Sequence, residues 1–368
     1  MRVFILAIGT RGDFEPFWAL GAALADAGHQ VTLGTSSFHI QPDSRLSWVQ
    51  IGQASQDEFK RFLASLADEP NLLRRSMAFG RGWAMPQVQQ SEQQLTAVAA
   101  RHDYFIGNMK FPLLRGGQVM PGAYVTYDPP VHSDALRQFG SHLHGGRTLE
   151  LVAMPRALVD PEASWPAEFH FTGFWHADQH LPSQDAVAPV LPAGTPAPVV
   201  LTMGSMVMLD HAALLGGFSQ ALQQIGRPGV VVGGWSGLQQ EAARHPGLHW
   251  VAHADYAKLF GQAACVLHHG GAGTVAAVLR AGLPAIVLPH IPSQARWGQI
   301  LQREKLCTAV LSPTALQPAE LLAGLQAACD DPEVRRTAQS WPSRLATDRG
   351  LPHAVELIQA HAARFVRA

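Results

Sequence analysis

The chain opens on an unbroken run of branched apolar residues, "RVFILAI" (Arg2 to Ile8), stopped by Gly9. A run without polar alternation is the pattern of a strand buried on both faces. After "GTRGD" the apolar positions recur at helical spacing through "FWALGAALADAG", with Pro16 opening the helix and Gly28 ending it. Strands are predicted at 29–36, 48–52, 103–108 and 123–128, with a helix over 85–101. Strands alternating with helices predict a parallel sheet wound on both faces. The alternation stops over 176–198, a proline-rich stretch with no hydrophobic period, which reads as a linker. It then restarts: "VVLTMGS" as strand, "LDHAALLGGFSQALQQIG" as helix, and "GVVVGG", "HWVAHA" and "ACVLHH" as strands. A helix over 274–281 and the strand "PAIVLPH" follow. The fold class is therefore α/β, with two facing, doubly wound, Rossmann-like domains at 1–175 and 199–350. Residues 351–368 form a C-terminal helix expected to pack back on the first domain. Open α/β sheets bind ligands beyond the carboxyl ends of their strands, so two such sheets place a ligand in the cleft between them.

Composition removes several classes of partner. With 368 residues, 47% of them hydrophobic, the chain can bury two ordinary cores. A formal net charge of -1 gives no electrostatic case for nucleic acid or an anionic membrane. The apolar stretch in "MRVFILAIGTRGD" is too short for a signal peptide, and no run of about 18 apolar residues offers a membrane span. Cys265, Cys307 and Cys329 fit neither a disulfide framework nor a zinc site, which points to reduced thiols and a cytoplasmic setting.

The densest chemistry lies in "VLHHGGAGTVAAVLRAGLP". A metal site fails on spacing, because His268 and His269 are adjacent on a strand and point to opposite faces. Two readings stay open. The small residues before Thr274 can bring unpaired backbone N–H groups of a helix N-terminus close to an anion, or they can form a tight buried turn. Asp13, after the first strand, is likewise either a general base or a helix cap.

"HHGGAGT", followed by "AGLPAIVLP" and a glutamine before "RWGQ", resembles the nucleotide-sugar motif of family 1 glycosyltransferases of the bacterial antibiotic, sterol and rhamnolipid type. The segment "IGTRGDFEPFWALGAALADAGHQVTLGTS" is similar to the opening of those enzymes, and "LTMGSM" and "WVAHADYAKLF" match in order and spacing. The resemblance implies a GT-B fold and inverting transfer from a UDP- or dTDP-linked sugar, without metal or other cofactor. It makes the first domain the acceptor side and the second the nucleotide-sugar side. By position, His268, Ser205, Gly271, Ala272, Gly273 and Thr274 would hold the diphosphate, and Trp250 and Val251 the base. Ser293, Gln294 and the nearby His290 would hold the sugar, and Asp13 would deprotonate the acceptor.

Two departures refine the expectation. Ser293 stands where most relatives carry an aspartate for the sugar hydroxyls, which favours a deoxysugar over plain glucose. Between "TYDPP" and "LELVAMPRALVD" only "VHSDALRQFGSHLHGGRT" remains. The acceptor site should be open or completed by a second copy of the chain, and should suit a bulky aromatic or lipidic molecule. Phe17, Trp18 and Phe111 are candidate lining residues, and His132, His142 and His144 candidate assistants; Trp235 and Trp297 read as packing. The rival readings are a sugar-nucleotide epimerase of the same architecture and a catalytically weak homologue assisting another subunit. The first would need a cluster of acids and bases that the sequence does not offer. Donor hydrolysis without acceptor separates the second.

Overall fold

The computed structural model describes residues 1–66, 69–107, 114–115, 118–127, 147–159, 169–175, 194–206, 210–234 and 238–365. It divides into two compact units: Met1–Phe59, Gly80–Pro182 and Asp348–Ala368 form one, Lys60–Phe79 and Ser183–Thr347 the other.

The first unit contains β1 (Arg2–Leu6), β2 (Gln30–Thr35), β3 (Leu46–Gln50), β4 (Tyr104–Gly107), the short antiparallel pair β5 (Leu114–Arg115) and β6 (Gln118–Val119), β7 (Gly122–Thr126), β8 (Thr148–Val152) and β9 (Phe169–Phe171). Its main sheet runs β3-β2-β1-β4-β7-β8-β9, every pair parallel. Val3 to Leu6 are buried, as the unbroken apolar run requires. The first helix, Arg11–Asp26, sends Phe17, Leu20 and Leu24 into this core. The C-terminal helix, Leu351–Ala362, adds Leu351, Ala354 and Ile358, and Tyr104 Oη lies 2.7 Å from His361 Nδ1.

The second unit holds β10 (Val199–Thr202), β11 (Gly229–Val232), β12 (Leu248–Val251), β13 (Cys265–His268), β14 (Ala285–Val287) and β15 (Cys307–Val310). They pair in the order β12-β11-β10-β13-β14-β15, all parallel. Val199, Leu201, Val231, Leu267, Ile286, Leu321 and Leu325 are its fully buried centre.

Several boundaries differ from the sequence reading. Residues 60–79, expected in the first domain, fold with the second unit, where the helix Leu72–Phe79 packs on the helix Pro292–Arg303. A short amphipathic helix reveals that it has an apolar face, but not which core receives it. The first helix begins at Arg11 rather than Pro16, and the glycine-led helix at Ala272 rather than at residue 274. The expected helix over 85–101 is two helices meeting at Ser91, whose hydroxyl accepts the Gly52 N–H at 2.7 Å. His132, His142, His144, Phe111, Trp235 and residues 176–193 of the linker lie outside the described residues. Phe17 and Trp18 are core, 0% and 6% exposed, with the Trp18 indole donating to Asp43. Trp297 is fully buried, as packing predicts.

Candidate functional site

In the second unit three strands end in glycine turns that touch one another. β10 runs into Met203-Gly204-Ser205, β11 into Gly233-Gly234, and β13 into His268-His269-Gly270-Gly271. Gly204 and Gly234 have φ of 56° and 52°, and a side chain on Gly234 would run into the Gly204 carbonyl. Only glycine combines that conformation with that approach. Gly270, at φ 87°, makes room for Gln294, whose carbonyl oxygen would lie 2.8 Å from a Cβ there. Ser205 is half-buried in the first of these turns.

The helix Ala272–Arg280 starts here with Gly271 as its N-cap, no side-chain cap and no acid in its first turn. Its first N–H groups have no intrahelical partner and carry the positive end of the helix dipole. Elsewhere in the unit Asp210, Asp255 and Asp331 cap the helices that follow them. The helices that start at Pro292 and Pro318 likewise have no side-chain cap. At the glycine-led helix Gly271 and Ala272 are half-buried, Gly273 is exposed, and Thr274 is buried as the third residue of the helix.

The paired histidines have different surroundings. His268 is 0% exposed, and its Nδ1 accepts the Gly270 N–H at 3.0 Å, which puts its proton on the enclosed Nε2. His269 lies with its Nε2 edge against Gly271 and its Cε1 beside Gly204, so its ring stands between the helix N-terminus and the β10 turn. Burial pushes His268 down to about 3, with His269 adding to the effect. Burial likewise pushes His269 down to about 4, against the pull of the Thr202 carbonyl. Both rings are neutral at physiological pH. His290 is held down to about 3 by burial and then by His269 and Arg75.

Ser293 and Gln294 are buried in the first turn of the helix Pro292–Arg303. Gln294 Oε1 accepts the His290 N–H at 2.7 Å, and its Nε2 donates to Met206 Sδ at 3.4 Å, which brings it next to Ser205. Trp250 is half-buried against the core, its indole nitrogen facing Gly233. The Val251 carbonyl accepts the Gly233 N–H at 2.8 Å, so the sheet already uses that oxygen. Ser205, His269, Gly271 to Thr274, Gln294, His290 and, through Gly233, Trp250 thus come together, while the His268 side chain stays enclosed beneath them. Position alone favoured His268. The alternation of the strand places the His269 ring, rather than that of His268, against the glycines of both turns.

Asp13 belongs to the first unit. It is the third residue of its helix, and its Oδ2 accepts from the Thr10 N–H at 2.8 Å and the Thr10 hydroxyl at 2.9 Å, forming a capping box. The Tyr127 hydroxyl lies 3.1 Å from the Asp13 carbonyl oxygen and 3.4 Å from Oδ1. One proton serves only one of these acceptors well, so Oδ1 is the less-bound carboxylate oxygen. Burial raises the Asp13 pKa, and the Thr10 and Tyr127 hydrogen bonds oppose the rise. Gly9, at φ 144°, is the neighbour against which the carboxylate folds, and His39 Nε2 braces the Gly9 carbonyl at 3.0 Å. Cap and candidate base are therefore the same residue, using different oxygens. Tyr127, His39 and Arg75 escaped the sequence reading, because each reaches its partner from a distant segment.

Known proteins resemble this chain in domain models, in sequence and in fold. Residues 3–89 match the glycosyltransferase family 28 N-terminal domain, and residues 239–360 the erythromycin biosynthesis protein CIII-like C-terminal domain. The chain is 25% identical to O-mycaminosyltylonolide 6-deoxyallosyltransferase of Streptomyces fradiae, over 98% of this chain and 97% of that one. It is 23% identical to sterol 3-beta-glucosyltransferase UGT80B1 of Arabidopsis thaliana, over 98% of this chain and 68% of that one. Among solved structures, the calicheamicin glycosyltransferase CalG4 superposes with a TM-score of 0.68 at 16% identity, over 100% of both chains. The glycosyltransferase VinC in complex with dTDP gives 0.63 at 18% identity, over 99% of this chain and 100% of that one. With a glycosyltransferase domain model at the N-terminal end, an antibiotic-biosynthesis domain model at the C-terminal end, relatives that are glycosyltransferases and the matching architecture, the chain is a glycosyltransferase of GT-B fold.

Proposed function

We propose that this glycosyltransferase is inverting and metal-independent, and moves a deoxyhexose from a UDP- or dTDP-linked donor to a hydroxyl of a bulky aromatic or lipidic acceptor. The observation that carries the donor half is the uncapped N-terminus of Ala272–Arg280, faced by the neutral ring of His269. Backbone N–H groups from Gly271 to Gly273, the Thr274 hydroxyl, the Ser205 hydroxyl and the His269 ring supply hydrogen bonds to a diphosphate, and the helix dipole supplies the positive potential. That potential grows in value as the sugar–phosphate bond breaks and negative charge gathers on the leaving group. Trp250 flanks the base, and Gln294, Ser293 and His290 hold the sugar. A neutral Ser293 suits a donor with fewer hydroxyls to grip, and the deoxysugar in the name of the Streptomyces fradiae relative supports this.

On the acceptor side, Asp13 Oδ1 takes the hydroxyl proton as the acceptor oxygen attacks the anomeric carbon. The bond from that carbon to the diphosphate oxygen breaks, and the anomeric configuration inverts. A carboxylate whose pKa is raised by burial is a better base than an exposed aspartate. The test is turnover of UDP- and dTDP-linked hexoses and deoxyhexoses with excess chelator, with the product anomer read by NMR. Full activity and an inverted anomer are expected. Strict dependence on a divalent cation, or retention of configuration, contradicts the reading.

A further inference from the structure

We infer that Arg75 is a positioning residue for the donor sugar: it fixes the backbone of His290 and, through it, the amide of Gln294. The inference rests on the sugar-holding role proposed above for Gln294. Arg75 lies on the helix Leu72–Phe79, more than two hundred residues upstream of the sugar loop, yet it folds in the same unit. Its side chain is buried, with 7% exposure, and one guanidinium nitrogen donates to the His290 carbonyl at 3.1 Å. The other two nitrogens donate to the Glu69 carbonyl, so the fork is held from behind.

The same residue that receives Arg75 also fixes Gln294. His290 offers its carbonyl to the guanidinium and its N–H to Gln294 Oε1 at 2.7 Å. Both sides of one residue are thereby tied, and the orientation of the Gln294 amide is fixed, with one Nε2 proton on Met206 Sδ and the other left for a further acceptor. The Arg75 charge is also among the causes that keep the His290 ring neutral. A buried, forked arginine on a carbonyl is not interchangeable with lysine, whose single ammonium cannot keep both anchors in one plane.

The test separates sugar from diphosphate. Calorimetric titration of the full chain with UDP and dTDP, and with their hexose and deoxyhexose conjugates, gives the gain in affinity due to the sugar. Arg75→Ala is expected to cut that gain about tenfold, the scale of one hydrogen bond to a charged group, with diphosphate affinity within about twofold of the parent. Arg75→Lys is expected to fall between the two. If Arg75→Ala fails to fold, Arg75→Lys carries the comparison, with unchanged diphosphate affinity showing an intact unit. Parallel loss of nucleotide and nucleotide sugar would make Arg75 a structural residue only and overturn the inference, as would no change in either. Gln294→Ala is the companion. A lost sugar gain there beside an unchanged gain in the Arg75 variants overturns the positioning role alone. An unchanged gain in every variant removes the sugar role of Gln294 as well.

Discussion

Two strand–turn–helix segments answer the same physical problem in opposite ways. After β1 the helix Arg11–Asp26 carries an acid in its first turn: Asp13 folds back onto the Thr10 N–H and hydroxyl, and the carboxylate sits where the helix dipole is positive. After β13 the helix Ala272–Arg280 has a glycine N-cap, no acid in its first turn and no side-chain cap. The first segment holds one carboxylate oxygen on Thr10 and leaves Oδ1 less bound. The second leaves its N-terminus without a side-chain cap. One architecture thus presents a hydrogen-bonded carboxylate in one unit and an uncapped helix N-terminus in the other, and the difference turns on whether an acid occupies the first helical turn.

Removing the carboxylate's basicity should have the largest effect. Asp13→Asn keeps an oxygen for the Thr10 donors, so fold and donor affinity are retained. Transfer should fall about a hundredfold or more, within the range for a general base. Near-normal kcat would reduce Asp13 to a cap. In the parent enzyme kcat/KM should rise with pH through the Asp13 pKa, because only the ionised form accepts a proton. That acid limb should lie above the value of an ordinary aspartate, since burial raises the group.

Next in size is the split between the paired histidines. His269→Ala should weaken UDP or dTDP binding by about 1.5–3 kcal/mol, the loss of one hydrogen bond to a charged group. His268→Ala should instead lower the melting temperature, because its ring is fully enclosed. The reverse pattern in a binding and melting pair would exchange their roles. A smaller effect comes from making the second segment resemble the first. Nothing lies within 4 Å of a Cβ on Gly273, so Gly273→Asp introduces a first-turn carboxylate without a clash. It should stabilise the helix by a few tenths of a kcal/mol and weaken diphosphate binding about tenfold. Unchanged affinity would mean that the helix N-terminus is not used.

Acid stability gives a separate check on the second segment. His268, His269 and His290 are pushed to about 3, 4 and 3 in the folded unit, against about 6.5 when unfolded. The unfolded chain takes up these protons first, so the stability they contribute is complete above about pH 6.5. It declines as pH falls toward 4 and then 3. A melting temperature for the second unit that is flat from pH 7 to pH 4 would contradict their burial as neutral rings.

Local pattern carried much of this architecture. The apolar runs at β1, β10 and β13 and the glycines after them are short-range signals, and they locate both turns. The proline at 16 misplaced the first helix start because Thr10 and Asp13 cap it one turn earlier, a hydrogen-bond pattern that periodicity does not register. The histidine pair was legible as a motif, while the choice between the rings needed the glycines at 204 and 271 on either side of one of them. Arg75 was illegible for a different reason. Its partner, His290, is 215 residues away in sequence, and no local pattern couples the two.

The contrast between the two helix N-termini is tested most directly by hydrogen–deuterium exchange with saturating UDP or dTDP. The account predicts new protection in peptides covering residues 269–280, and none in peptides covering residues 9–20. Protection over the Asp13 turn with an unchanged glycine turn would contradict it.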